Sequence, residues 1–296
     1  TCNGHAELCE RAYDEVVQVA THNSMSSPDV VQIWPEQDGT IREQLDAGVR
    51  ALLIDTHYWP GVTAPDQLTG LEPTVPANVA NRVFETGGDR LRPHDGVFLC
   101  HNNCALGGEP FADGLAQLRD FLVANPDEVV TLVVQDETSS ADTTAEITKA
   151  GLEPFLYDHA AHDDWPTFGE LIDAGERLIV FAENEGPPPS WYRNAFDDMQ
   201  DTPFGFPTPD AMTCEHNRGA DDATLLLMNH WVSRVAPDRA TAAVVNAHDF
   251  VVDRARECEK ARGRLPNFVA VDFYSIGDVV GAVDTLNGFG SGSEDT

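Results

Sequence analysis

The strongest constraint on this chain is an alternation of period. Short runs rich in β-branched residues, several apolar at every position, take turns with longer amphipathic segments from one end to the other. The strand-like runs are Glu15–Ala20, Val49–His57, Val97–His101, Val129–Asp136, Leu178–Glu183, Leu225–Trp231 and Phe268–Tyr274. Helical pattern fills Thr40–Ala47, Phe111–Asn125, Thr143–Leu156, Phe168–Ala174, Arg239–Arg262 and Ile276–Leu286. Runs apolar throughout suit parallel strands covered on both faces. Seven or eight such units in 296 residues predict an α/β fold of the (β/α)8 TIM-barrel type, distorted or incomplete, rather than an open doubly wound sheet. One domain is expected over residues 1–287, with a flexible tail at 288–296. Pro60–Pro93 and Glu185–Arg218 read as long loops, the kind that form lids or rims.

Charge narrows the partners. Against 50 Asp+Glu stand 18 Lys+Arg, a net charge of −32, so nucleic acid is excluded as a natural partner and docking on an anionic bilayer is disfavoured. Such acidity fits either adaptation to high salt or an ordinary acidic secreted protein. No apolar run reaches the roughly 18 residues a spanning helix needs. The start at Thr1 without Met and the even number of cysteines lead us to expect a secreted, extracellular protein, and a monomer. The cysteines fall into neighbouring pairs, for which we expect the disulfides Cys2-Cys9, Cys100-Cys104 and Cys214-Cys258. No Cys/His spacing of a zinc site is present.

In a barrel the carboxyl ends of the strands converge on one face and build the site. In order they carry His22 with Asn23, Asp55 with His57, His101, Gln135 with Asp136, Glu183, Asn229 with His230, and Asp272 with Tyr274. No phosphate-binding glycine motif follows a strand. Two histidines on separate strands are what phosphoryl transfer from an internal hydroxyl needs, one as base and one as acid. An imidazole pKa near 6.5 lets one ring be neutral while the other is protonated.

These residues sit in recognisable surroundings. Val19-Ala20-Thr21-His22-Asn23-Ser24-Met25 resembles the first catalytic segment of the phosphatidylinositol-specific phospholipase C X-domain superfamily. Gly48–Asp55 is similar to its second strand and Phe98–His101 to the strand bearing the second histidine. Asn125–Leu132 resembles its Asn-Pro-x-Glu-x-Val-Thr segment, and Pro266–Tyr274 the closing strand of the secreted branch. Pro60–Asp95 and Asn184–Asp210 match least.

The resemblance implies a secreted phosphodiesterase. His22 would act as general base on the inositol 2-hydroxyl, His101 as general acid on the leaving oxygen, and Asp272 would hold an imidazole in its working tautomer. It also implies a Ca2+ site with Asn23, Asp55 and one of Gln135 or Asp136, although the second strand has Leu53 and the fourth Gln135 where calcium-dependent relatives carry Glu. Mg2+, or no metal, stays open. His57, Trp231 and Tyr274 are candidates for substrate contact. The expected substrate is a phosphoinositide or a soluble phosphodiester, with peripheral membrane contact left open. The alternatives are a glycerophosphodiesterase or sphingomyelinase D type enzyme, and an idle homologue that binds a phosphorylated ligand.

Overall fold

The computed structural model describes residues 1–31, 33–69, 74–158, 164–234 and 236–289. Its strands are β1 (Gln18–Thr21), β2 (Ala51–Trp59), β3 (His94–Leu99), β4 (Glu109–Pro110), β5 (Val130–Glu137), β6 (Leu178–Ala182), β7 (Tyr192–Asn194), β8 (Met199–Asp201), β9 (Leu225–Asn229) and β10 (Phe268–Val271). Eight of them run parallel in the order β7-β6-β5-β2-β1-β10-β9-β8. Pairing is not continued from β7 to β8; the four-residue helix at Ala195–Asp198 joins them instead. This is the distorted (β/α)8 barrel expected from the alternation, curled but not closed.

The helices are α1 (Ile41–Asp46), α2 (Ala77–Thr86), α3 (Phe111–Ala124), α4 (Ser140–Lys149), α5 (Phe168–Ala174), α6 (Ala195–Asp198), α7 (Arg239–Val245), α8 (His248–Arg262) and α9 (Val279–Leu286). Local chemistry sets their ends. Thr40 and Glu43 form a capping box at the start of α1, and Gly175 and Gly263 take the left-handed conformation that ends α5 and α8.

Strand alternation decides what the barrel contains. Ala20, Ala51, Leu53, Val133, Ile179, Phe181, Leu225, Leu227, Phe268 and Ala270 share one buried cluster, the interior. Val19, Leu52, Ile54, Leu132, Val134, Val180, Met228, Val269 and Val271 belong to the other, packed with the helices. Continuing the inward series by one step reaches His22, Asp55, Gln135, Glu183, Asn229 and Asp272. The same parity that buries the core therefore brings these side chains to the mouth. At the opposite end Tyr13, Val16, Trp165 and Phe168 plug the barrel.

Four expectations change. Val97–His101 is not a barrel strand: β3 runs antiparallel to β2, with Thr56 opposite Leu99 and Trp59 opposite His94. Pro60–Pro93 contains α2 and 3-10 turns at Pro65–Leu68 and Gly88–Leu91. Glu185–Arg218 contributes β7 and β8, three residues each, between prolines that mask any strand pattern. The helix expected at Arg239–Arg262 breaks at Asn246, whose side chain turns back to the Asp272 and Phe273 carbonyls. Cys2-Cys9, Cys100-Cys104 and Cys214-Cys258 are the disulfides. Of the expected tail, 290–296 lie outside the described residues.

Candidate active site

Two histidines face each other across the mouth, ring centroids 6.4 Å apart and nearly perpendicular. His22 follows β1. Its Nδ1 lies 2.9 Å from Asp272 Oδ1, and its Nε2 is 3.2 Å from the Asn23 amide nitrogen. That pattern assigns the proton to Nδ1, donated to Asp272, and leaves Nε2 as acceptor. Trp231 stacks on the ring at 3.8 Å and fixes its plane.

His101 arrives differently. Because β3 is antiparallel, it descends from beyond the barrel and ends level with Thr56, just above Asp55. The Cys100-Cys104 disulfide spans the turn that follows. His101 Nδ1 lies 3.3 Å from Glu36 Oε2.

Glu36 is the residue that sequence reasoning missed. It lies in the loop after β1, only 8% exposed, and also accepts from the Asn23 amide at 2.7 Å. The loop is stapled in place by Gln37, whose Nε2 donates to the His22 carbonyl at 2.6 Å and to the Val271 carbonyl at 2.9 Å. The Phe273 amide donates to the Glu36 carbonyl. Nothing in Trp34-Pro35-Glu36-Gln37 marks this carboxylate as special, since the contact depends on how a loop folds back.

The backbone bends sharply at each of these points. The residues that follow His22, His101 and Asp272 are Asn23, Asn102 and Phe273, with φ of 45°, 60° and 50°. Asparagine tolerates this left-handed conformation; Phe273 is strained, and such outliers gather at functional sites.

Electrostatics divide the two imidazoles. Burial pulls both pKa values down, but carboxylates more than offset it. For His22 the hydrogen bond and charge of Asp272 and the charge of Glu36 leave a net rise. For His101 Glu36 acts most strongly, with Asp55 and Asp272 adding, and the ring is pushed up to about 9. Glu36 is held down near 2 despite its burial, chiefly by His101. Burial lifts Asp272 against the pull of His22.

On the His22 side an open cleft of about 480 Å³ is lined by Asn23, Asp55, Gln135, Glu183, Arg218, Asn229, Trp231 and Phe204, among others. Arg218 was not expected there. Its guanidinium pairs with Glu183 at 2.9 Å and with buried Asp201 at 2.7 Å, and stacks near Phe196 and Phe204.

Asp55 stands out by contrast. It is 6% exposed, its carboxylate has no hydrogen-bond or ion-pair partner among the described residues, and burial pushes its pKa to about 7. With Asn23 and Gln135 beside it in the cleft, the donors are hard oxygens, the kind Ca2+ or Mg2+ takes. His22, Glu36 and Asp272 also bring ligand atoms within 4.8 Å of one another. These three are already hydrogen-bonded to each other or to Asn23 and His101.

Several expected contacts fall elsewhere. Asp136 has the outward parity of Leu132 and Val134; it accepts from the Asn184 and Glu185 amides and the Tyr192 hydroxyl, so it shapes the turn after β6 and does not line the cleft. Tyr274 would face inward if β10 continued, but the turn at Phe273 sends its hydroxyl over Gly39, where a Cβ would meet it at 2.7 Å. His57 stands beyond the barrel rim opposite Phe98, outside the cleft lining, and burial pushes it down to about 4. His230 is fully buried, bonded to Arg254 and the Val245 carbonyl.

Among the described residues no helix is long and apolar enough to cross a membrane. The PI-PLC X family model matches residues 8–63 and 86–287. A PI-PLC X domain-containing protein 1 of Arthroderma benhamiae is 28% identical over 309 residues, covering 97% of this chain and 89% of that one. An uncharacterized secreted protein of the same organism is 29% identical over 95% of this chain, which spans 62% of that relative. Among solved structures, the phosphatidylinositol-specific phospholipase C of Listeria monocytogenes is 14% identical and superposes with a TM-score of 0.53, over 95% of this chain and 96% of that chain. That likeness is one of fold.

Proposed function

Because the chain belongs to the PI-PLC X family, we propose that it is a secreted phosphodiesterase of the phospholipase C type, cleaving an inositol phosphodiester by attack of the inositol 2-hydroxyl to give a cyclic phosphate. The observation that carries this is the pair of histidines 6.4 Å apart, each backed by its own carboxylate.

The cleft would hold the head group, with Trp231 as an apolar wall and Asp55, Gln135 and Asn229 as hydroxyl partners. His22 Nε2 takes the 2-hydroxyl proton as the oxygen–phosphorus bond forms. Asp272 stabilises the imidazolium that results. As the bond from phosphorus to the leaving oxygen breaks, His101, protonated at neutral pH because of Glu36, gives its Nε2 proton to that oxygen. His22 takes up one proton and His101 gives one up, so the net charge of the site is unchanged across the step.

A divalent cation, if bound, would be held by Asp55 with the amide oxygens of Asn23 and Gln135, and would supply positive charge to the phosphate. Adding Ca2+ is expected to raise Tm by several degrees, as binding to the folded state alone requires. Asp55→Asn should abolish that shift, and above about pH 7, where the buried carboxylate is charged, should itself be more stable than wild type without Ca2+. Calorimetric melts decide it. An equal Ca2+ shift in Asp55→Asn, or none in wild type, removes the cation from Asp55.

Incubation with phosphatidylinositol and with a lysophospholipid, followed by 31P NMR, tests the reaction. The expected product is a cyclic inositol phosphate from the first and no turnover of the second. Turnover of the lysophospholipid alone would point to the glycerophosphodiesterase or sphingomyelinase D type, and binding of inositol phosphate without turnover to an idle homologue.

A further inference from the structure

Three residues, His101, Asn102 and Asn103, stand between Cys100 and Cys104, and the disulfide closes them into a small ring. β3 ends at Leu99, and beyond it the Cys100 amide reaches the Asp55 carbonyl only at 3.4 Å. His101 therefore stands past the end of the strand ladder, on a chain that turns at once. Asn102 has φ of 60°, and the Asn103 amide bonds back to the His101 carbonyl at 2.7 Å. The two cysteines are anchored where these three residues are not. Cys100 and Cys104 are buried and cluster with Trp59 and Phe98, whereas His101, Asn102 and Asn103 are all partly exposed. Cys104 opens a 3-10 turn, Cys104–Leu106, in which the Ala105 amide donates to the Asn103 side chain. Gly108 closes the far side, where a Cβ would meet Cys100 Cβ at 2.9 Å and the Leu99 carbonyl at 3.0 Å.

We infer that Cys100 and Cys104 are positioning residues for the reaction: their bond holds His101 where it can hand its proton to the leaving oxygen. This rests on the assignment of His101 as the general acid. Such an acid works only within hydrogen-bond reach of the atom it protonates, and a residue on a loop keeps that geometry only if something removes its freedom. The Glu36 contact, at 3.3 Å, ties one ring nitrogen but not the chain that carries the ring. Closing the chain between two buried anchors does so, because it removes most of the backbone arrangements open to His101 and its two neighbours. His22 has a different support. It directly follows β1, its amide donates to the Val271 carbonyl of β10, and its own carbonyl accepts from Gln37. The base is thus held by the sheet and the acid by a covalent clasp, which ties turnover of alkyl esters to the oxidised chain.

Leaving groups separate positioning from folding. In the double variant Cys100→Ala/Cys104→Ala, kcat on phosphatidylinositol, whose leaving oxygen needs a proton, is expected to fall about tenfold to a hundredfold with KM within about twofold. With nitrophenolate as leaving group, which departs without a proton, kcat should stay within about threefold of wild type. Inserting one glycine between Asn102 and Asn103 keeps the disulfide but loosens the ring, and should give the same pattern; it carries the test if the double variant does not fold. Cys2→Ala/Cys9→Ala, at the plugged end of the barrel, should leave both rates unchanged. Circular dichroism checks that each variant is folded. Backbone 15N relaxation at His101–Asn103 reads the clasp without any turnover, with order parameters of about 0.85 expected in wild type and below about 0.6 in the ring variants. Equal loss with both leaving groups, no loss with either, or order parameters alike in wild type and the folded variants overturns the proposal and leaves the phosphodiesterase assignment standing. A rigid wild type and mobile variants, with no turnover of either ester by wild type, would support the clasp on His101 and count against the reaction.

Discussion

His22→Ala is expected to lower kcat on phosphatidylinositol roughly a thousandfold or more, whatever the leaving group, because every substrate must lose its 2-hydroxyl proton to the same base. His101→Ala should cost as much when the leaving group is an alkyl alcohol. With nitrophenolate as leaving group the loss should shrink to about tenfold, since that oxygen departs without a proton. The asymmetry follows from position. His22 lines the head-group cleft with Nδ1 fixed on Asp272, whereas His101 lines a hollow on the far side, fixed on Glu36. If His22→Ala retains turnover, or if nitrophenolate rescues His22→Ala and not His101→Ala, the roles are misassigned.

Glu36→Gln is the second large effect. The glutamine keeps the length of the side chain and an acceptor for Asn23, but removes the charge that chiefly opposes the burial of His101. Asp55 and Asp272 also face His101 and remain. The His101 pKa should therefore fall from about 9 by about one to three units. The sign follows directly: a protonated acid is needed, so activity lost on the alkaline side begins at lower pH in the variant. Near pH 8 the variant should be slower by about twofold for the smallest of these falls and about a hundredfold for the largest, and near pH 6 the two should agree within about twofold. Kinetics across that range check this. A uniform loss at every pH would make Glu36 a packing residue only.

How much of this was legible in the sequence depends on strand parity. His22, Asp55, Gln135 and Asp272 continue the inward series of Ala20, Leu53, Val133 and Ala270, so a reader who finds the strands finds the mouth. The same rule places Asp136 outside, where its bonds to Asn184 and Glu185 confirm the outward face. The rule stops where regular strand stops. Tyr274 lies past the bend at Phe273, His57 past the barrel rim, and His101 on an antiparallel strand that reaches the mouth from above. Glu36 and Arg218 come from loops, brought in by Gln37 and by Asp201, and no local pattern announces either. β7 and β8 are three residues each, too short to show a period.

The pH dependence of kcat/KM for phosphatidylinositol, taken from about pH 5 to pH 10, tests most directly whether two carboxylate-backed histidines in opposite protonation states do the chemistry. The expected profile is a bell whose acid limb lies above the ordinary histidine value and whose alkaline limb lies near 9. A rate that climbs through pH 9 without turning over, or a profile unchanged in His101→Ala, would contradict it.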